Sequence, residues 1–251
     1  MISLIDILVD VIYPENISCI ICDNPISKSN TYSLCKSCFE EIHFIKEGCY
    51  KCGKPSINNI LEKLKYEECS YCFDKTFYFD RVISCIEYND ISKNLILKFK
   101  YQKKTYMSKY IAKIISEKLS LEDIRYDYIL FVPLHKKRYK KRGFNQSEKI
   151  AKYLSEITKV EVLNCINRKN NTKALYKLDR IDRKKELKNA FALEKDHDKL
   201  KNKNIILVDD IFTTGSTTNE ISKILKINNV NKIYVVTLLN KSNNRYVVNK
   251  Y

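Results

Sequence analysis

The stretch "IILVDDIFTTGSTTNE", residues 205 to 220, decides the fold because it contains a strand, a tight loop and the start of a helix. Ile205 to Val208 form a short aliphatic run of the kind that is buried on both faces of a parallel sheet. From Thr217 onward, apolar residues recur at the three- and four-residue spacing of a helix. This order of elements predicts an α/β unit with a loop at the carboxyl end of a strand.

Four hydroxyl side chains surround one glycine, Gly215, in the loop between that strand and that helix. Backbone N–H groups at the start of a helix favour an anion, and glycine lets the backbone approach it closely. The hydroxyl groups add hydrogen-bond donors around the same centre. They belong to Thr213, Thr214, Ser216 and Thr217. The loop therefore predicts a phosphate site.

Two adjacent carboxylates, Asp209 and Asp210, follow the aliphatic run. Ligands bind at the carboxyl ends of strands in open α/β sheets, and carboxylate oxygens suit Mg²⁺ or the hydroxyl groups of a sugar. Together with the loop, the pair predicts a phosphorylated sugar bound with a metal. The alternative is a capped helix after a core strand, but a cap uses one hydroxyl and no paired acids.

The stretch resembles the phosphoribosyl pyrophosphate signature of the phosphoribosyltransferases, although Phe212 stands where a smaller aliphatic residue is common. The resemblance implies that Asp209 and Asp210 contact the ribose hydroxyls and are the catalytic pair of an active enzyme. It also implies that the loop from Thr213 to Thr217 wraps the 5′-phosphate. Mg²⁺ would accompany phosphoribosyl pyrophosphate as the cofactor.

The composition is that of a globular protein with a strongly basic surface. A chain of 251 residues suffices for one large domain or a main domain with a small appendage, and 44% hydrophobic residues can form a sizeable core. The formal net charge of +16 favours a polyanionic partner. Asp6 and Asp10 interrupt the first apolar stretch, and no apolar run approaches the roughly 20 residues of a membrane-spanning helix. We therefore expect a cytoplasmic protein, with peripheral attachment at the inner face of the membrane as an alternative.

Eight of the ten cysteines form four C-x-x-C pairs before residue 75. Eight thiolates make two tetrahedral sites, so we expect two structural zinc ions. We favour the pairing of neighbouring units, with a cross-brace, a disulfide scaffold and an iron–sulfur cluster as alternatives. Cys85 and Cys165 lack partners at this spacing and are predicted to lie in the core. The predicted ligands are Cys19, Cys22, Cys35, Cys38, Cys49, Cys52, Cys69 and Cys72.

The chain is predicted to form two domains, a zinc-binding module at 1–75 and an α/β domain at 76–251. The module has no obvious catalytic residue, so we expect it to dock on the larger domain or to contact nucleic acid. In the larger domain strand-like and helix-like patterns alternate, which predicts a parallel sheet with helices on both faces. Further strands are predicted at 81–88, 126–134, 160–168 and 232–240, and further helices at 91–102, 108–119 and 145–157.

The order of motifs resembles the ComF family of competence proteins over nearly the full length. The resemblance implies an amidophosphoribosyltransferase-like fold and a role in natural transformation, the uptake of single-stranded DNA. Leu175 and Glu186 depart from the family pattern in a loop that closes over the substrate in the transferases. The implied partners are single-stranded DNA, phosphoribosyl pyrophosphate or a nucleotide, and other competence proteins such as a DNA helicase or translocase. The motifs are the four cysteine pairs, "FKYQKK" (99–104), "VPLHKKRYKKRGFNQSEKIAKYL" (132–154), "NRKNNTKALYKLDRIDRKKELKNAF" (167–191) and the opening stretch.

The segment "HKKRYKKRG", 135–143, holds six Lys or Arg residues and no acid. Because it follows a predicted strand, we interpret it as a basic loop at the carboxyl end of that strand. The loop after the first core strand of the transferase fold holds the pyrophosphate, so the resemblance implies that His135, Lys136 and Arg138 bind it. A solvated run of charge and contact with DNA phosphates are the alternatives.

The basic segment and the residues after it also carry groups that suit DNA. Phe144, Asn145 and Gln146 combine an aromatic face with two amides, and Arg142 adds a cation, which together suit stacked, unpaired bases. The alternative is a helix N-terminus in which Phe144 is a hydrophobic staple and Asn145 the cap. The residues predicted to contact DNA are Lys137, Lys140, Lys141, Arg142 and Phe144.

Three functions follow from these patterns. The first is a competence factor that handles single-stranded DNA and binds phosphoribosyl pyrophosphate with Mg²⁺, with or without turnover. The second is an active phosphoribosyltransferase acting on an amine or a base. The third is a zinc-dependent interaction protein with a degenerate transferase domain. We favour the first, because the acids and the glycine are intact and no general base has a defined position.

Overall fold

A computed structural model describes residues 17–55, 69–102, 104–169 and 190–241. The predicted closing loop with Leu175 and Glu186 lies outside these residues. No helix in the described ranges is long and apolar enough to cross a bilayer. The strands are β1 (Arg81–Glu87), β2 (Tyr128–Phe131), β3 (Ile166–Arg168), β4 (Phe191–Leu193), β5 (Asn204–Phe212) and β6 (Lys232–Asn240). The helices are α1 (Lys36–Glu40), α2 (Asp90–Tyr101), α3 (Met107–Ser120), α4 (Lys136–Arg142), α5 (Gln146–Thr158) and α6 (Ser216–Ile227).

Four strands form a parallel sheet in the order β1, β6, β5, β2. Residues of β5 alternate between two core clusters: Ile206 and Val208 belong to one, and Ile205 and Leu207 to the other. The aliphatic run is therefore buried on both faces. Helices α2, α3 and α5 cover one face, and α6 covers the other. The predicted parallel sheet with helices on both faces is confirmed.

Strand β5 is longer than its sequence pattern predicts. The aliphatic run ends at Val208, but the strand continues, so Asp209 and Asp210 lie within it rather than after it. Strand β6 stays paired with β5 as far as Asn240, whereas β2 stops at Phe131. The last residues of β5 thus keep one hydrogen-bonded neighbour and lose the other. The acidic pair lies beside the space that opens beyond the end of β2.

Residues 160–168 do not form the single strand that their sequence predicts. Val162 makes one parallel bridge with Ile129 of β2. Beyond this bridge the backbone leaves the main sheet. The N–H of Lys169, for example, donates to the carbonyl of Ala190 at 2.8 Å. Strand β3 consequently pairs antiparallel with β4 in a separate two-stranded sheet.

The cysteine-rich module docks against the edge of the main sheet. Residues 43–45 run antiparallel to β1. The N–H of Ile45 donates to the carbonyl of Cys85 at 2.9 Å. The N–H of Glu87 donates to the carbonyl of His43 at the same distance. The module thereby supplies hydrogen-bond partners to an edge strand that would otherwise be open.

The module also shares a hydrophobic core with the larger domain. Ile20, Leu34 and Ile42 are buried in the same cluster as the apolar residues of α2 and α3. Burying these side chains against the helices stabilises both parts at once. The expected docking of the module on the larger domain is confirmed.

Candidate functional site

The hydroxyl loop, residues 213–217, joins β5 to α6 through a tight turn. Gly215 has a φ of +71°, a conformation that L side chains rarely adopt. A Cβ added there would lie 2.7 Å from Cζ of Phe212. Backbone conformation and packing therefore both require glycine. Helix α6 begins at the next residue, Ser216, whose N–H donates to Thr214 Oγ1 at a long 3.4 Å. The N–H groups of this first turn have no acceptor within the helix, so they face the side on which an anion can bind.

Hydrogen bonds within the loop and the first turn of α6 hold this conformation. Thr214 Oγ1 and Ser216 Oγ lie 2.8 Å apart. The carbonyl of Gly215 accepts from the Thr218 hydroxyl at 3.1 Å and from the Asn219 N–H at 2.7 Å. The four predicted hydroxyl residues remain partly exposed. The structure therefore brings these hydroxyl groups together at a helix N-terminus, as a phosphate site requires.

The two acids have different surroundings. Asp210 is buried and pairs with Lys100 of α2, whose Nζ lies 2.8 Å from Oδ2. Asp209 Oδ1 accepts from the Asp210 N–H at 2.9 Å and from the Ser147 hydroxyl at 3.3 Å. Burial raises the pKa of Asp209 to about 7, and the charge of Asp210 acts in the same direction. Asp209 therefore exchanges a proton near neutral pH.

Lys100 and Arg168 belong to the site, although their sequence context assigned them no role. Lys100 lies in the "FKYQKK" motif and reaches Asp210 from α2. Arg168, at the end of β3, is buried. Burial lowers its pKa to about 10, the nearby charge of Arg138 acts likewise, and the Asp209 carboxylate opposes both. A cluster of basic residues in a family motif was the available signal for Lys100, and Arg168 likewise lies in the quoted motif 167–191.

The basic segment forms the short helix α4, so its interpretation as a loop is wrong. His135 is the N-cap, and its Nδ1 accepts from the N–H of Lys137 at 3.2 Å. Gly143 ends the helix with a φ of +84°. A capping side chain and a glycine in the left-handed region favour a helical turn even in a charged segment.

The cap limits what His135 can do for a ligand. Desolvation lowers the pKa of His135, and the neighbouring cations Arg168 and Lys137 lower it further. The neutral ring is the form that the cap needs, because Nδ1 must accept a hydrogen bond. Nε2 is then the ring nitrogen that can donate to a diphosphate. Lys136, Lys137, Lys140 and Lys141 are exposed, while Arg138 and Arg142 are partly exposed.

Phe144 is buried, which contradicts the prediction that it stacks on unpaired bases. Its ring centroid lies 5.7 Å from that of Phe99 in the core. Asn145 caps α5 by accepting from the Ser147 N–H at 3.2 Å, and it donates to the carbonyl of Val132 at 3.1 Å. The alternative, a helix N-terminus with Asn145 as its cap, describes this segment.

Two tyrosines, one at the end of α2 and one within α4, have the exposed rings that Phe144 lacks. Tyr101 is 59% exposed and Tyr139 is 46% exposed. The Arg142 guanidinium lies 5.3 Å from the centroid of Tyr101, and its Nη1 donates to Gln146 Oε1 at 3.1 Å. Both tyrosines interrupt runs of lysine in the sequence, which was the signal for them. Aromatic rings and cations are therefore interleaved on one surface.

The eight paired cysteines form two groups of four in chain order. The first group is Cys19, Cys22, Cys35 and Cys38, the second is Cys49, Cys52, Cys69 and Cys72, and within each group the sulfurs lie within 4.8 Å of one another. The sulfurs of a tetrahedral zinc site are about 3.8 Å apart, since each lies about 2.3 Å from the metal. Cys49 and Cys72 are 3.8 Å apart, as are Cys52 and Cys69.

These distances fit two structural zinc ions. The predicted pairing of neighbouring C-x-x-C units is confirmed, and the cross-brace is not. No disulfide joins any of the ten cysteines. Cys85 and Cys165 are buried away from both groups, as predicted.

Known proteins resemble the chain in both of its parts. Residues 8–77 match the double zinc ribbon domain family, and residues 107–251 match the phosphoribosyl transferase domain family. Competence protein F of Haemophilus influenzae is 30% identical over 217 residues, covering 80% of this chain and 94% of that protein. DNA utilization protein YhgH of Escherichia coli K12 is 28% identical over 232 residues, covering 86% and 94%.

Among solved structures, the glutamine phosphoribosylpyrophosphate amidotransferase from B. subtilis is 14% identical. It covers 52% of this chain and 25% of its own, with a TM-score of 0.36. The domain match spans more than half of the chain, and competence protein F is similar over nearly its whole length. The chain therefore belongs to the ComF family of competence proteins, in which a double zinc ribbon precedes a phosphoribosyltransferase domain.

Proposed function

We propose that the protein is a competence factor that binds phosphoribosyl pyrophosphate with Mg²⁺ and handles single-stranded DNA beside that site. The observation that carries the proposal is the convergence of the acidic pair, the hydroxyl loop and two cationic segments. Asp210 contacts Lys100 at the end of α2, and Asp209 contacts Ser147 at the start of α5. These contacts hold the acidic pair against the end of α2 and the start of α5, and they support a sugar-diphosphate site at this end of the sheet.

Each part of the sugar diphosphate has a matching group in this proposal. The hydroxyl loop binds the 5′-phosphate with its hydroxyls and with the first N–H groups of α6. Asp209 and Asp210 bind the ribose hydroxyls, since carboxylates accept charge-assisted hydrogen bonds. The diphosphate and its Mg²⁺ lie toward α4, where His135, Lys136 and Arg138 provide donors and positive charge.

Single-stranded DNA matches the surface that α4 forms with the end of α2. The exposed lysines of α4 can neutralise phosphates, and Tyr101 and Tyr139 can stack on bases. Proteins hold single strands without reading their sequence by this combination of charge and stacking. The names of the two relatives, competence protein F and DNA utilization protein, support a DNA substrate.

A second candidate function is an active phosphoribosyltransferase acting on an amine or a base. It is favoured by Asp209, whose pKa of about 7 suits a group that accepts a proton from a nucleophile at neutral pH. Release of pyrophosphate from phosphoribosyl pyrophosphate in the presence of amines or nucleobases tests it. Release that is lost in Asp209→Asn would support an enzyme, whereas binding without release would favour the first function.

Thermal unfolding tests the proposed sugar-phosphate site. Phosphoribosyl pyrophosphate at millimolar concentration with Mg²⁺ should raise the melting temperature, because a ligand of the native state stabilises that state. Thr217→Val removes one loop hydroxyl at nearly constant shape and should reduce the shift. Thr158→Val, at the far end of α5, is the matched control and should leave the shift unchanged. A wild-type protein without any shift would contradict the proposal.

A further inference from the structure

The segments that carry the second cysteine group contact the start of the hydroxyl loop and the first turn of the helix that follows it. We call residues 48–55 and 69–79, which carry this group, the second ribbon. Tyr71 lies between two of its cysteines, and the Tyr71 hydroxyl donates to the carbonyl of Thr213 at 3.4 Å. On the other side of the loop, Asn219 of α6 accepts from the N–H of Tyr78 at 2.6 Å. The start of the loop and the first turn of α6 are therefore both held by the second ribbon.

A continuous series of aromatic contacts, two stacked and the last edge-to-face, connects the same two parts. Successive ring centroids along it are 6.5, 4.7 and 6.0 Å apart. Its last ring is the one that a Cβ at Gly215 would strike, and Phe77 would also lie 3.4 Å from that Cβ. The rings are those of Tyr71, Phe77, Phe79 and Phe212. The side chains that pack against Gly215 thus come from the second ribbon and the end of β5.

The other C-x-x-C turn of the second ribbon holds the end of β6. Asn240 Nδ2 donates to the carbonyl of Cys52 at 3.0 Å. The Lys54 ammonium donates to the carbonyl of Lys241, and the N–H of Lys241 donates to the carbonyl of Phe212 at 2.8 Å. Both C-x-x-C turns of the second cysteine group therefore reach the end of the sheet from which the hydroxyl loop departs.

The first cysteine group is attached to a different element. Asp23, next to Cys22, pairs with Lys98 Nζ at 2.5 Å and with Lys104 Nζ at 2.6 Å. Lys98 belongs to α2 and Lys104 follows it. In the described part of the chain, the hydrogen bonds recorded from the cysteine-rich module to the hydroxyl loop and to the first turn of α6 come from the second ribbon.

We propose that the second ribbon supports the phosphate site. Tyr71 is the positioning residue, and the metal of the second cysteine group fixes the turn that carries Tyr71. Tyr71 in turn holds the backbone of Thr213. Loss of this metal then loosens the hydroxyl loop, whereas loss of the first metal does not. The inference rests on the proposed function only in taking a sugar phosphate as the ligand of the loop.

Hydrogen exchange of the ligand-free protein tests the positioning role directly. Tyr71→Phe keeps the ring and removes the hydroxyl, so the amides of 213–218 should exchange about fivefold faster. Tyr50→Phe is the matched control, because Tyr50 lies in the other turn of the same metal group and its ring contacts Arg81 instead. Both variants should keep two zinc ions per chain and unchanged exchange in 205–208. Equal exchange of the loop in the two variants overturns the inference.

A second pair of variants distinguishes the effects of the two metal sites. Cys72→Ser and Cys22→Ser should each lower the zinc content from two ions to one. Loop exchange should rise in Cys72→Ser and stay near the wild-type rate in Cys22→Ser. A rise of equal size in both variants overturns the assignment to the second ribbon. If Cys72→Ser does not fold, the comparison of the tyrosine variants still decides.

Binding of phosphoribosyl pyrophosphate with Mg²⁺ to the same tyrosine variants links the inference to function. Tyr71→Phe should bind about fivefold more weakly than Tyr50→Phe. Equal affinity of the two variants means that the loop contact does not serve the ligand and overturns the inference. If the wild-type protein binds no phosphoribosyl pyrophosphate, the proposed function is wrong. The hydrogen-exchange rates then still decide whether Tyr71 supports the loop.

Discussion

Lys100 and Asp210 form an ion pair between α2 and β5 that spans 110 positions of the chain. Lys100 Nζ lies 2.8 Å from Asp210 Oδ2, and the two side chains are only 17% and 12% exposed. Charges withdrawn from water to this extent depend on each other for stabilisation. The same contact fixes the end of α2 against the acidic strand β5.

Removing one partner of this pair should destabilise the protein. Lys100→Met leaves the Asp210 carboxylate buried and uncompensated, so the free energy of unfolding should fall by about 3 kcal/mol. Adding Asp210→Asn to that variant should restore most of the loss, because the asparagine carries no charge. Urea unfolding of the single and double variants measures both effects. Equal stability of the two variants would mean that the loss in Lys100→Met does not come from the unpaired charge of Asp210.

Asp209 should make the unliganded protein less stable as the pH rises. Its pKa is raised from the usual 3.8 to about 7, so the folded protein holds this proton more tightly than the unfolded chain. The resulting stabilisation is complete below about pH 4 and is lost as the pH rises through about 7. Asp209→Asn should therefore be more stable than wild type at pH 8, on the order of 1 kcal/mol, with no gain at pH 4.

Denaturant unfolding at both pH values measures this difference. Asp198→Asn is the control, because that side chain is 97% exposed. It should leave the pH dependence unchanged. A pH profile of Asp209→Asn that parallels wild type would show that the pKa of Asp209 is the same in the folded and the unfolded chain.

Binding of single-stranded DNA should weaken steeply with salt. With about four to six phosphates neutralised, log K should fall by roughly 0.7 per contact for each tenfold rise in salt. A variant in which all four exposed lysines of α4 are glutamine should show a lower affinity and a flatter salt slope. Fluorescence anisotropy of a labelled oligonucleotide measures both. The substituted residues are Lys136, Lys137, Lys140 and Lys141.

A matched set of lysines and one tyrosine serve as controls for the DNA experiment. Four lysines before the amino end of β5 carry the same total charge at the opposite end of the sheet, and their replacement by glutamine should change the slope little. Tyr139→Ala should lower the affinity without changing the slope, because stacking releases no counterions. An unchanged slope in the α4 variant would assign the helix to the diphosphate. The control lysines are Lys195, Lys199, Lys201 and Lys203.

Zinc should stabilise the whole protein rather than the module alone. The module shares a core cluster with α2 and α3, so Cys19→Ser should lower the stability of both parts in one transition, by about 3 kcal/mol or more. Elemental analysis of the wild type should give two zinc ions per chain. Fewer than one, or a larger domain that keeps its melting temperature in Cys19→Ser, would contradict this.

Local patterns predicted the parts of the structure that local chemistry determines. The C-x-x-C spacing predicted the two cysteine groups, because two cysteines three positions apart on a tight turn lie close enough to share a metal. The aliphatic run, the glycine and the hydroxyls of 205–217 identified the strand and the loop for the same reason. Each of these features is complete within a few residues.

Features that depend on distant residues could not be predicted in this way. The pattern of charges in 135–143 is compatible with a solvated loop and with a helix. The helix forms because the His135 ring caps its first turn. Phe144 and Tyr139 are both aromatic residues in basic surroundings, and only the packing of Phe99 shows which ring is exposed. The contact of Tyr71 with Thr213 joins residues 142 positions apart, so no local pattern contains it.

The strand order has a consequence for synthesis of the chain. Strand β6 lies between β1 and β5, so the two strands that flank it are both made before it. Until residues 232–240 leave the ribosome, β1 and β5 each have an unpaired edge where β6 will insert. The segment at 43–45, made first of all, already covers the other edge of β1. A nascent chain stalled before residue 232 therefore exposes two unpaired strand edges, which favour aggregation or binding by chaperones.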